Sequence, residues 1–104
     1  MKNIFSDVPQ NLPDELIEII AENDDIRIER IVSRGNTSPP GFWYDQDKNE
    51  FVLLIGGEAR LKFEEKAECI LMQEGDYIII PAHARHRVEW TAPNRDTIWL
   101  AVHY

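Results

Sequence analysis

The sequence predicts an all-β fold, a sandwich or barrel of about six or more short strands, with one short helix near the N-terminus. Three observations carry this reading. Apolar runs rich in β-branched and aromatic residues recur at intervals of about 8 to 12 residues. Turn chemistry separates them, as in Gly35 to Gly41 (GNTSPPG), Gly56-Gly57 and Gly75-Asp76. Glu58 to Phe63 alternates Ala59, Leu61 and Phe63 with Glu58, Arg60 and Lys62, the pattern of a strand with one wet face.

Leu12 to Asn23 is the helix candidate. Pro13 suits a first helical position, Asp14 and Glu15 favour a helix N-terminus, and Leu16, Ile19 and Ile20 recur at helical spacing before Asn23-Asp24-Asp25 ends the run. From Ile26 the period becomes two. Ile26, Ile28, Arg30 and Val32 share one face, and Arg27, Glu29, Ile31 and Ser33 share the other. With the first face inside, Arg30 points inward, either as a paired or snorkelling side chain or as a cation for an anionic ligand.

After the GNTSPPG loop, Phe42, Trp43 and Tyr44 precede Asp45 and Gln46, as packing aromatics or as a binding platform. Glu50 opens an apolar run to Ile55 that is too continuous for a half-exposed strand. Cys69 to Met72 and Tyr77 to Ile80 are further short strands, the second stopped by Pro81. In the last strand, Thr97 to Tyr104, Trp99, Ala101 and His103 share one face, while Ile98, Leu100, Val102 and Tyr104 share the other. Apolar residues on both faces imply cover on both sides.

A chain of 104 residues makes one domain and buries roughly 60 to 70% of its unfolded surface. With 43% hydrophobic and 29% charged residues, it reads as an ordinary soluble globular protein. No run approaches the roughly 18 apolar residues of a membrane span, and MKNIFSDVPQ carries no apolar signal core, so no membrane partner and a cytoplasmic location are expected. The formal charge of −8, without a Lys or Arg cluster, opposes nucleic-acid binding. The single cysteine, Cys69, is read as a small buried hydrophobe.

The most chemically loaded stretch is GDYIIIPAHARHRVEW, Gly75 to Trp90. His83 and His86 follow its strand, and imidazole is both a metal ligand and a proton carrier near neutral pH. Gly75, Pro81 and His86 match in spacing the second motif of the cupin superfamily, with His83 in place of that motif's later glycine and Trp90 in place of its asparagine. Glu50 and Gly57, six residues apart, match the end of the first motif, and Gly35 lies where its leading glycine belongs. Both first-motif histidines are missing, their places falling on Tyr44 and Gln46 or on Trp43 and Asp45.

The chain thus resembles a small single-domain cupin with a degenerate first motif. The resemblance implies a double-stranded β-helix (jelly-roll) barrel over residues 26–104, with residues 1–25 as an N-terminal segment whose helix packs on it. It also implies a barrel-interior pocket. Of the family's metal ligands Glu50 and His86 are retained, and His83, Asp45 or Gln46 could complete a set for Fe, Mn, Ni or Zn.

Three functions stay open. A metal-assisted enzyme would act on a small polar or anionic molecule, with Glu50, His86 and Tyr44 in catalysis and Arg30 orienting the substrate. A metal-free barrel would bind a small-molecule ligand through Trp43, Tyr44, Trp90 and Trp99, with acid–base catalysis by Glu50 and His86 as a variant. A structural homodimer would be covered by the N-terminal helix and the tail from Trp99 to Tyr104.

Overall fold

The computed structural model describes residues 1–104 as eight strands without a helix: β1 (Leu16–Glu22), β2 (Arg27–Ser33), β3 (Glu50–Gly56), β4 (Glu58–Phe63), β5 (Ile70–Gln73), β6 (Tyr77–Ile80), β7 (His86–Thr91) and β8 (Thr97–His103). They form a five-stranded sheet, ordered β1-β2-β8-β3-β6, and a three-stranded sheet, ordered β5-β4-β7. All pairings are antiparallel. Inward-facing Val52, Leu54, Ile80 and Trp99 of the first sheet meet Ala59, Leu61 and Met72 of the second in one core. That arrangement is the all-β architecture expected from the strand count.

The helix expected over Leu12 to Asn23 is corrected to strand. Residues Leu16 to Glu22 pair with β2, Leu16 opposite Val32 and Ile17 opposite Ile31. Three β-branched isoleucines favour extended backbone, and the edge of β2 supplies a hydrogen-bond ladder that an isolated short helix lacks. The register shifts between Ile19 and Ala21. That bulge explains the misleading pattern, because an extra residue in a strand puts apolar side chains at helix-like spacing.

The interior face of β2 is the opposite of the one expected. Arg27, Glu29 and Ile31 line the space between the sheets. Arg30 lies on the outer face yet is buried, because the N-terminal segment crosses over it. Its Nη1 donates to the carbonyls of Ser6 at 2.5 Å and Ile4 at 3.1 Å, and its Nε donates to Glu18 at 2.6 Å. It is a clamp for that segment, not an inward group for a ligand.

Cys69 is exposed rather than buried, because the pairing of β5 with β4 begins one residue later, at Ile70 opposite Leu61. The tail expected to cover a dimer seam is instead the centre of the large sheet, with β8 hydrogen-bonded on one side to β2 and on the other to β3.

Candidate active site

A half-open cavity of about 170 Å³ lies between the sheets. Strand register lays out its ionisable wall. Arg27 on β2 stands opposite His103 on β8, and His103 stands opposite Glu50 on β3, so three inward side chains lie abreast. Glu29, the next inward residue of β2, receives a hydrogen bond from His103 Nε2 at 2.8 Å and pairs with Arg27 Nε at 3.2 Å. From the second sheet, His86 on β7 brings Nε2 to 3.6 Å from Glu50 Oε1, both side chains being less than a tenth exposed. That separation is an ion-pair contact, since N–H···O bonds run to only about 3.2 Å.

His86 is held from three directions. Its Nδ1 donates to the Ala84 carbonyl at 2.9 Å. Its ring stacks on Tyr44 at 5.4 Å between centroids and tilts against Phe63 at 5.9 Å. Tyr44 reaches this place because its backbone bridges to residue 86, and its hydroxyl donates to Glu15 Oε1 at 3.2 Å.

Burial by itself would lower the pKa of His86. The nearby Glu50 carboxylate and the bond to the Ala84 carbonyl outweigh it and raise the imidazole above its ordinary 6.5. Burial likewise raises Glu15 above its ordinary 4.5; the Tyr44 hydrogen bond opposes that and the Glu29 charge adds to it. Tyr44 is pushed far up by burial and by Glu15, so its hydroxyl stays a neutral donor.

Both His86 and Glu15 hold protons more tightly in the folded state than in the unfolded one. Stability is therefore fullest below the unfolded values, 4.5 for Glu15 and 6.5 for His86, and is lost as pH rises through the folded ones. A pH series of melting temperatures should show a fall above pH 6.5 that His86→Gln removes. An identical fall in the variant would assign it to other groups.

Of the residues singled out in the sequence, Glu50, His86, Tyr44, Gln46 and Trp99 line this cavity. His83 and Asp45 do not, which removes both from the expected metal set. His83 occupies the left-handed conformation (φ 64°) that suits the glycine it replaces, and its side chain is 64% exposed, bonded to Asp45 at 2.8 Å. Asp45 points outward because strand-like alternation turns its neighbours, Tyr44 and Gln46, inward.

Trp90, expected to bind ligand, lies under Arg60 instead, 5.2 Å from guanidinium to ring. The register shift that pairs Leu61 with Val88 and Arg60 with Trp90 makes Glu89 an extra residue and turns the indole to the side of Arg60. Trp43 is half-buried outside the cavity wall. Sequence reasoning missed Glu15, Arg27, Glu29 and His103. The one available signal was that His103 shares a face with Trp99 and Ala101.

The donor set does not fit the three-ligand metal centre that the family resemblance implied. No group of three or more His, Cys, Asp or Glu side chains is placed to hold an ion. Glu29 and His103 are committed to each other, leaving Glu50 and His86.

Two antiparallel sheets closing over a small, mostly apolar cavity with one ionisable wall define a jelly-roll barrel with an interior site. The cupin domain family matches residues 31–103, and the chain belongs to that family, as a small single-domain member. It is similar to a crystal structure of a candidate mannose-6-phosphate isomerase from Ralstonia eutropha JMP134, at 45% identity and TM-score 0.95, covering 99% of this chain and 95% of that one. A cupin superfamily protein from Desulfitobacterium hafniense DCB-2 matches at 18% identity and TM-score 0.75, covering 92% and 82%. An RmlC-like cupin with a double-stranded β-helix fold, from Methanocaldococcus jannaschii, matches at 17% and 0.72, covering 93% and 85%. These last two speak to fold alone. No curated protein sequence matches the chain significantly. No helix is long and apolar enough to cross a membrane.

Proposed function

We propose that this cupin binds a small polar molecule in the cavity and moves a proton on it, with His86 as the acid–base group and Glu50 as its charge partner. The observation that carries this reading is the buried His86–Glu50 pair, in which Glu50 Oε1 has no hydrogen-bond partner. A buried carboxylate oxygen without a partner is costly and is kept where a ligand or a proton completes it. The Nδ1 bond to Ala84 is the shorter contact, so Nε2 is the atom that loses and regains the proton.

A sugar isomerisation, the activity carried in the name of the Ralstonia protein, belongs to this reaction class. A base takes the proton from the carbon beside a carbonyl while an acid gives one to the carbonyl oxygen, forming an enediol; the other enediol hydroxyl then loses its proton as a proton returns to the former carbonyl carbon. Tyr44 positions the imidazole by stacking. The test is proton NMR of a panel of small hydroxy-carbonyl compounds with the protein in D₂O. Loss of the C–H signal beside a carbonyl, faster with protein than without, is expected; a panel with no accelerated exchange would refute the reading.

A metal-assisted variant has a single support, the same unpartnered Glu50 oxygen beside His86. Two protein donors bind an ion less firmly than the usual three. Adding Fe, Mn, Ni or Zn is accordingly expected to leave the melting temperature within about 2 °C. A larger rise would move the metal variant to first place.

Support for the expected homodimer lies on β1, an edge strand of the large sheet. Ile17, Ile19 and Ile20 are each half exposed there beside an edge with no strand partner. We propose that a second copy covers it. Sedimentation should give the dimer mass and Ile19→Lys the monomer; a monomeric native protein would contradict the assignment.

A further inference from the structure

Resting on the reading of this cavity as a ligand site, we infer that its ligand is an uncharged hydroxy-carbonyl or polyol compound of three or four carbons, and that phosphorylated sugars are excluded. Three independent features of the wall lead there.

The first is charge. Glu15, Glu29 and Glu50 all line the cavity, and the one permanent cation among the lining residues, Arg27, is spent on Glu29 and is itself 45% exposed. No lysine lines it. His86, the lining imidazole that holds its proton, is paired with Glu50, so a phosphate dianion would be desolvated against carboxylates without the free guanidinium fork or backbone nest that phosphate sites use.

The second is hydrogen-bond complementarity. Two polar atoms on lining residues are buried without partners: the acceptor Glu50 Oε1 and the donor Trp99 Nε1, on residues 7% and 3% exposed. Once a side-chain shift opens them to the cavity, a hydroxyl group donates to the first, and a hydroxyl or carbonyl oxygen accepts from the second. A phosphate dianion offers acceptors only, so it would set oxygen lone pairs against the Glu50 carboxylate.

The third is size. A dry cavity of 150 Å³ holds one benzene, so about 170 Å³ encloses roughly six to eight non-hydrogen atoms. Dihydroxyacetone and erythrulose are of that size. A hexose phosphate is about twice as large and would have to project through the open side of the cavity.

Ligand-observed saturation-transfer NMR with four probes tests the inference on the native protein: dihydroxyacetone, erythrulose, dihydroxyacetone phosphate and mannose 6-phosphate. The two uncharged probes should bind, and the two phosphates should bind about tenfold or more weaker. Phosphates that bind as tightly as the uncharged probes would overturn the inference while leaving the cavity a ligand site. No binding by any probe up to about 10 mM would overturn both. Glu29→Gln frees Arg27 and removes one carboxylate, so it should narrow the gap between dihydroxyacetone and its phosphate; an unchanged gap would count against the charge argument.

Discussion

Replacing His86 with alanine is expected to lower catalysed C–H exchange by roughly 10² to 10⁴-fold, the usual contribution of one acid–base group. The fold should survive. The side chain borders an existing cavity, so its removal enlarges a space already present and does not open a new void in the apolar core. What is lost is the stacking on Tyr44, the contact with Phe63, the bond to the Ala84 carbonyl and the charge partner of Glu50, together about 2 to 4 kcal/mol. His86→Gln separates shape from chemistry: it keeps most of the volume and a donor for the Ala84 carbonyl, and it cannot carry the proton. Exchange rates and melting temperatures of both variants provide the check. A His86→Gln protein with native exchange would remove the imidazole from the mechanism.

The largest effect on stability is expected at Gly57. It sits at φ +93°, and a Cβ there would lie 2.5 Å from Thr97 Cα and 2.8 Å from Asp96 O, and would also overlap Thr97 Oγ1. Two of those atoms are backbone at the entry to and the first residue of β8, which is locked between β2 and β3 and cannot retreat. Gly57→Ala should therefore cost more than about 4 kcal/mol, most of the stability of a domain this size. Gly41 is the matched control: its φ is +77°, and nothing lies within 4 Å of a Cβ. Gly41→Ala should cost only the left-handed strain, about 1 to 2 kcal/mol. Denaturant unfolding of the pair measures the difference, and equal losses would show that the contact with Thr97 can relax.

These two residues also show what was legible in the sequence. Gly57 and Glu50 stood out by spacing, and Gly57 has a steric reason for being glycine. His86 was legible for the same reason, and its place opposite Glu50 follows from the barrel that joins β3 to the second sheet. Where local pattern had to stand for tertiary context, the reading failed. Ile19 and Ile20 look helical because Ile20 is the extra residue of a bulge between Ile19 and Ala21. Arg30 looks inward because β2 is buried on both faces, and only the crossing of Ile4 and Ser6 over it shows which face is outside.

The second ionisable pair was invisible for a different reason. Glu29 and His103 are 74 residues apart, and no periodicity connects them. His103 could be placed on a face with Trp99, but its partner depends on β2 lying beside β8, which is a fact of sheet order. His83 drew attention by its chemistry alone, while its backbone conformation turns the ring outward.

In the proposed mechanism His86 presents Nε2 to the cavity as the atom that exchanges a proton beside Glu50. Long-range ¹H–¹⁵N NMR of the imidazoles across a pH titration reads this directly. The account predicts a protonated ring that persists above pH 6.5, and then a neutral ring carrying its proton on Nδ1, with the Nε2 resonance moving when dihydroxyacetone is added. A neutral His86 with the proton on Nε2, unresponsive to ligand, would contradict it.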